Sequence, residues 1–201
     1  MSQIKLLHSG GNGVSIVAPD SNPASDRTLK LPSDGDGTIL TTNSATGKIL
    51  QVVQATKTDG FITNSTSMVD VPSLSASITP SNSSNKILIT VSLGSFNNHH
   101  ALKRAALNIV RGSTNVLVGD ADTGVEVTAI TCTRSTSGQG GHIQIPFSFT
   151  VLDSPSTTSA TTYKVQVYST DGDYVSVNRP GNQDAYSGNT ASTLLLMEVA
   201  A

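Results

Sequence analysis

LSASITPSNSSNKILITVSL, running from Leu74 to Leu93, decides the fold of this chain. In its first half Leu74, Ala76 and Ile78 alternate with serines; in its second half Ile87, Ile89, Val91 and Leu93 recur at the same spacing. Successive side chains on a strand point to opposite faces, so each half presents one apolar face to a core. The Pro, Ser and Asn residues between the halves are turn formers and read as a loop. Ser and Thr, rather than Lys and Glu, fill most of the other face. The pattern predicts an all-β protein, and it recurs to Ala201.

Composition agrees. The 201 residues include 28 Ser and 25 Thr, whereas Asp, Glu, Lys and Arg together make only 13%. Threonine is β-branched and suits a pleated surface, serine suits turns, and 17 Gly with 8 Pro punctuate the chain. A net charge of −2 supplies no electrostatic pull toward nucleic acid or an anionic membrane, and neither is expected as a partner. MSQIKLLHSGG lacks the long apolar run of a leader, and the terminal LLLMEVAA is too short to insert in a membrane. Cys132 is the single cysteine, which excludes a disulfide framework and reads as a small buried hydrophobe in TAITCTRS.

Outward from the opening stretch, two regions differ in kind. Residues 45–201 read as a β-sandwich, jelly-roll-like domain of about ten strands. Expected strands include Ile49–Ala55, Lys86–Ser95, a hairpin of Leu107–Arg111 with Asn115–Gly119, and Val125–Thr133. HIQIPFSFTVL (His142–Leu152) places Ile143, Ile145, Phe147, Phe149 and Val151 on one face. Tyr163–Tyr168, Tyr174–Asn178 and Thr193–Val199 follow. Ser67–Thr79 reads as one strand broken or bulged at Pro72, which cannot donate to a ladder. Asn97–Lys103 reads as a loop or a single helical turn. Turn signals at roughly 8–12-residue spacing suit a sandwich or jelly roll.

Residues 1–44 read instead as an extended arm with short strands. Ile4, Leu6 and Leu7; Val14, Ile16 and Val17; Leu29 and Leu31; Ile39 and Leu40 are brief apolar pieces between turn-rich stretches. Isolated hairpins are marginal in water, and so few large side chains cannot offset the ordering entropy of some forty residues. The arm is therefore expected to be ordered by a sister subunit or a larger assembly.

No catalytic, metal or cofactor-binding residues are expected. Adjacent His99 and His100 would point to opposite faces of a strand and cannot chelate one ion through it; a solvent-facing pair is the simpler reading. Asp34/Asp36, Asp120/Asp122 and Asp171/Asp173 flank glycines or turns as calcium ligands sometimes do, yet none opens a full twelve-residue loop, and Asx-turns explain them equally. No Gly-x-Ser-x-Gly elbow, P-loop or dinucleotide fingerprint occurs. Glu126 and Glu198 are the only glutamates. Tyr174, Arg179 and Tyr186, in DGDYVSVNRPGNQDAYSGNT, have the chemistry of a ligand or receptor contact surface, although they serve equally well to pin a long loop.

GKILQVVQATKTD, ITPSNSSNKILITVSLG, LNIVRGSTNVLVGD, FTVLDSPSTTSATTYKVQV and STLLLMEVA resemble virion structural proteins of tailed phages, especially marine ones. DRTLKLPSDGDGTILTT resembles N-terminal pieces of phage fibre and capsid-surface proteins. The resemblance spans Gly47 to the C-terminus and is weakest at 97–104 and 121–139. It implies a homotrimeric jelly-roll-like domain on a virion, made in the host cytoplasm, serving as a fibre or spike or as a head decoration. Residues 1–44 would then attach it to other virion proteins. The expectation is a structural protein rather than an enzyme. The alternative is a carbohydrate- or receptor-binding module, such as a fibre-tip adhesin that takes a host surface glycan.

Overall fold

Antiparallel strands account for the regular structure in the computed structural model, and no helix occurs among the described residues. Those residues are 3–7, 9–11, 13–17, 48–100, 103–120, 122–123, 129–134, 144–181 and 188–201. The chain divides into two units, Met1–Ser44 and Ala45–Ala201. In the first, β1 (Gln3–Leu7) pairs with β2 (Gly13–Val17), so the first two apolar pieces form a hairpin. Leu29, Leu31, Ile39, Leu40 and the Asp34/Asp36 pair lie outside the described residues.

The second unit is a sandwich. One sheet runs β11 (Phe147–Asp153), β6 (Lys86–Leu93), β14 (Ser192–Val199), β3 (Ile49–Lys57). The other runs β10 (Thr131–Arg134), β8 (Arg104–Arg111), β12 (Thr161–Ser169), β5 (Val69–Ile78), with β9 (Thr114–Asn115) folded back on β8. Through the eight strands β3, β5, β6, β8, β10, β11, β12 and β14, the chain crosses between sheets at nearly every step and stays in one only from β8 to β10. Eight strands interleaved in this order make a jelly roll. A third, small sheet of β4 (Phe61–Thr63), β13 (Val175–Val177) and β7 (Phe96–Asn98) is built from the β3–β5, β12–β14 and β6–β8 connections.

Leu74–Leu93 takes on a specific role here. β5 and β6 are not hydrogen-bonded to each other; they lie in different sheets, and the 79–85 loop arches across the sandwich. Leu74, Ile78, Ile87, Ile89, Val91 and Leu93 are all buried in one cluster with Leu107, Ile109, Val165, Leu194 and Leu196. Burying each such side chain stabilises the fold by about 1.5–3 kcal/mol, which makes this inter-sheet layer the main source of cohesion. Arg111, Asp153 and Tyr163 clamp the two sheets at one end. Arg111 Nη1 and the Tyr163 hydroxyl both donate to Asp153 Oδ2, each at 2.7 Å. Burial, followed by that carboxylate, raises the Tyr163 pKa, so the phenol keeps its proton and remains a donor.

Several sequence expectations are refined. Pro72 lies within the edge strand β5, where the missing N–H costs no ladder bond, and Ser73 beside it has φ of +67°. The register against β12 shifts between Lys164 and Gln166, so the expected bulge is present. The hairpin after β8 is tighter than expected: β9 is Thr114–Asn115, and Gly112 (φ +59°) supplies the left-handed turn residue. The His142–Leu152 strand begins at Phe147 because Pro146 interrupts it, leaving Ile145 44% exposed. Asn97 and Asn98 belong to β7 rather than to a loop, and β8 starts at Arg104. The Val125–Thr128 part of the expected Val125–Thr133 strand lies outside the described residues.

Candidate functional site

Two of the residues singled out from the sequence, Tyr174 and Arg179, flank the small sheet. Its central strand β13 alternates in a confined space: Val175 and Val177 join Phe96 in the core, and Ser176 turns the other way. There Ser176 Oγ (2.8 Å) and Asn97 Nδ2 (3.4 Å) donate to the Arg179 carbonyl. Asn97 Oδ1 accepts the Ile145 N–H at 2.8 Å, which draws the 144–145 segment over the sheet. Both faces of β7 and β13 are therefore buried although half their residues are polar.

Asn178 is the hub of this end. With φ of +63° it leaves β13 in the left-handed region, which asparagine tolerates better than most residues. Its side chain donates to the carbonyls of Lys57 (2.9 Å) and Asp59 (3.4 Å) and accepts from Ser192 Oγ. Its backbone donates to Ser95 and accepts from Thr190, each at 3.1 Å. One buried amide thus ties the ends of β3, β6, β13 and β14 together. Lys57 is itself 1% exposed, but its Nζ reaches Asp59 at 3.0 Å at the surface and lies 5.9 Å from the Phe61 ring centre.

Tyr174 and Arg179 flank β13 at its two ends. Tyr174 is 49% exposed, and its carbonyl accepts the His99 N–H at 3.0 Å. The rings of His99 and Tyr174 stand 6.1 Å apart at 38°. The Arg179 stem packs closely on Gly60, where a Cβ would fall 2.9 Å from Cδ of the arginine. His99 lies beside Tyr174, and burial, then the charges of Arg179 and His100, push its pKa down to about 4, so it is neutral at physiological pH. Its buried Nε2 has no hydrogen-bond partner. The expectation of a solvent-facing histidine pair therefore fails for His99, which is partly buried. His100 does face solvent, with Nδ1 3.1 Å from Asp173 Oδ1, and Lys103 Nζ lies 3.8 Å from Asp173 Oδ2. Asp171 takes a hydrogen bond from Thr170 at 2.9 Å, so this acidic pair is engaged with neighbouring side chains. Tyr186 lies outside the described residues.

The arrangement sets a half-exposed aromatic ring beside a carboxylate, an imidazole and an ammonium. These groups can stack against and hydrogen-bond a polar, planar-faced ligand or a protein partner. Among the described residues, no three His, Cys, Asp or Glu side chains form a group able to hold a metal.

Sequence reasoning missed a second polar centre, at the opposite end of the sandwich. Glu198 is 1% exposed. Its Oε1 accepts from Ser81 N and Oγ (2.7 Å each) and from Asn85 Nδ2 (2.6 Å), and its Oε2 accepts from Gln51 Nε2 (2.6 Å). Burial opposes ionisation, yet the donors from Gln51, Asn85 and Ser81 outweigh it and hold the carboxyl down to about 2. Asn85 Oδ1 in turn accepts the Ala201 N–H at 3.2 Å. The centre fastens the inter-sheet arch to β3 and β14. Its only sequence signal is a lone acid at an inward-alternating position, since Leu194, Leu196 and Glu198 share one face.

No protein-family model matches the chain, and a search of curated proteins finds no match.

Proposed function

We propose that the protein is a structural component of a tailed-phage virion, a homotrimer displayed on the particle as a fibre, spike or head decoration and attached through residues 1–44. The jelly-roll order of the two sheets is the observation that carries this reading, because that architecture recurs in capsid-surface domains. It joins the resemblance of the quoted sequence stretches to phage virion proteins. The low-charge, Ser/Thr-rich surface suits wide contacts that desolvate few ions. A tagged full-length chain supplied during infection is expected in purified particles, and a chain lacking residues 1–44 is expected to be missing from them. Recovery of the shortened chain at full copy number overturns the attachment role. Copy number then separates the positions: hundreds per particle indicate a head decoration, a few dozen or fewer a fibre.

A second reading, a glycan-binding tip, draws on the half-exposed Tyr174 beside Asp173 and His100. Glycan-array binding that is lost in Tyr174→Ala supports it; an array without signal removes it.

A further inference from the structure

The two outer faces of the sandwich differ sharply in chemistry. On the β5–β12 side an ion pair sits among Ser, Thr and Gln: Asp70 accepts from Lys164 Nζ and Gln166 Nε2, both at 2.7 Å. Such a face is at home in water. On the other sheet, the registers align Val52 with Met197, Met197 with Leu88, and Leu88 with Leu152. These four side chains form one apolar row across all four strands, flanked by Leu195 on β14 and by Leu50 on the edge strand β3. Val52, Leu152 and Leu50 are 57%, 48% and 45% exposed. The remaining outward positions are almost all Thr, Ser and Gln, and Lys86 at one end carries the sole charge among them.

We propose that this face, the outer surface of β11-β6-β14-β3, is where a second copy of the chain packs. The inference rests on the assembly reading above and names the surface that reading leaves open. Every copy carries the same face with a single charge, Lys86, at one end, so bringing copies together sets few like charges against each other and strips water from few ions. A partner chosen by charge would find only Lys86 to read. Four strands at roughly 4.8 Å spacing and about seven residues at roughly 3.4 Å give a footprint of about 450 Å². That is a little over half of the ~800 Å² per partner of an ordinary stable interface, and side-chain relief enlarges the contact beyond the flat footprint. Sheets also pack readily face to face through interdigitating side chains. An unshared apolar row beside an apolar edge strand would instead be an aggregation hazard.

The test is the solution mass of the full-length chain, by light scattering coupled to size-exclusion chromatography. The wild type is expected at a multiple of 20.7 kDa. The double variant Val52→Glu/Leu152→Glu is expected at the single-chain mass with an unchanged β-type circular dichroism spectrum, because both side chains already face solvent within one copy. Ser75→Glu, on the β5–β12 side, is expected to keep the wild-type mass. A wild type that is monomeric at its highest soluble concentration overturns the proposal, whether the face is bare or covered by the chain's own residues 1–44. So does a double variant that keeps the wild-type mass. If the double variant loses its β-type spectrum, Val52→Thr/Leu152→Thr replaces it, with weakened association expected and unchanged association overturning the proposal. A monomer that still enters particles removes this face and spares the virion reading; an oligomer absent from particles does the reverse.

Discussion

Glu198 shows how much one buried carboxylate can do without a cation. Four hydrogen bonds from neutral groups hold it ionised, and hydrogen bonds to charged acceptors are worth more than ordinary ones. Its folded pKa lies below the ordinary 4.5, so its stabilisation is fully present above that value and is lost as pH falls toward about 2. Glu198→Gln is expected to cost about 2–3 kcal/mol at neutral pH, and the difference from wild type should vanish near the lower value. Urea titrations of both proteins across this window measure it; a difference that persists in acid would show that packing rather than charge is lost. Gly94 is a second sensitive position, for a steric reason. A Cβ there would fall 2.5 Å from Thr190 Cβ and 2.6 Å from the Ala191 carbonyl oxygen. Backbone cannot step aside as a side chain can, so Gly94→Ala should lose about 1–3 kcal/mol in thermal or urea unfolding.

The elements divide into those whose pattern was legible and those whose pattern was not. Strict alternation marked β5, β6, β12 and β14, because one face of each is covered by the opposite sheet and selects apolar residues at every second position. β7 and β13 were harder to read. Their burial comes from both sides, and half their residues are Asn or Ser whose hydrogen bonds close only in the folded state, as between Asn97 and Ile145. Tyr174 and Arg179 were drawn from one turn-rich stretch of sequence, and the fold sets them at opposite ends of β13; the partial burial of His99 beside Tyr174 was hidden, since a histidine pair gives no sign of which ring is covered. Asn178 gives this sheet its own test. Asn178→Gly keeps the left-handed backbone and removes the amide, at about 2–4 kcal/mol for the carbonyls and hydroxyl left unpaired. Asn178→Ala should lose roughly a further 1 kcal/mol, because Cβ meets the carbonyl at positive φ. Equal stabilities of the two variants in chemical denaturation would show that backbone strain there is negligible.

At the scale of the whole molecule, alternation established that β5 and β6 each bury one face, but not which strands they bond to. Facing is encoded by every second residue, whereas sheet membership depends on partners far away in sequence, such as Val199 against Ile49. Because β3 and β14 lie side by side and antiparallel, Lys48 accepts the Ala200 N–H at 2.9 Å, and the domain's first and last strands leave from the same end. This placement has a mechanical consequence. Pulled apart at Lys48 and Ala200, the β3–β14 ladder opens one rung at a time, because its bonds lie perpendicular to the strands and meet the load in sequence. Pulled between Lys48 and Tyr174, at the far end of the sandwich, the same rungs are sheared together and share the load. Single-molecule stretching should therefore record a clearly higher rupture force in the second geometry, and equal forces would refute it. A domain held at its base and tugged at its tip is gripped along its strong axis.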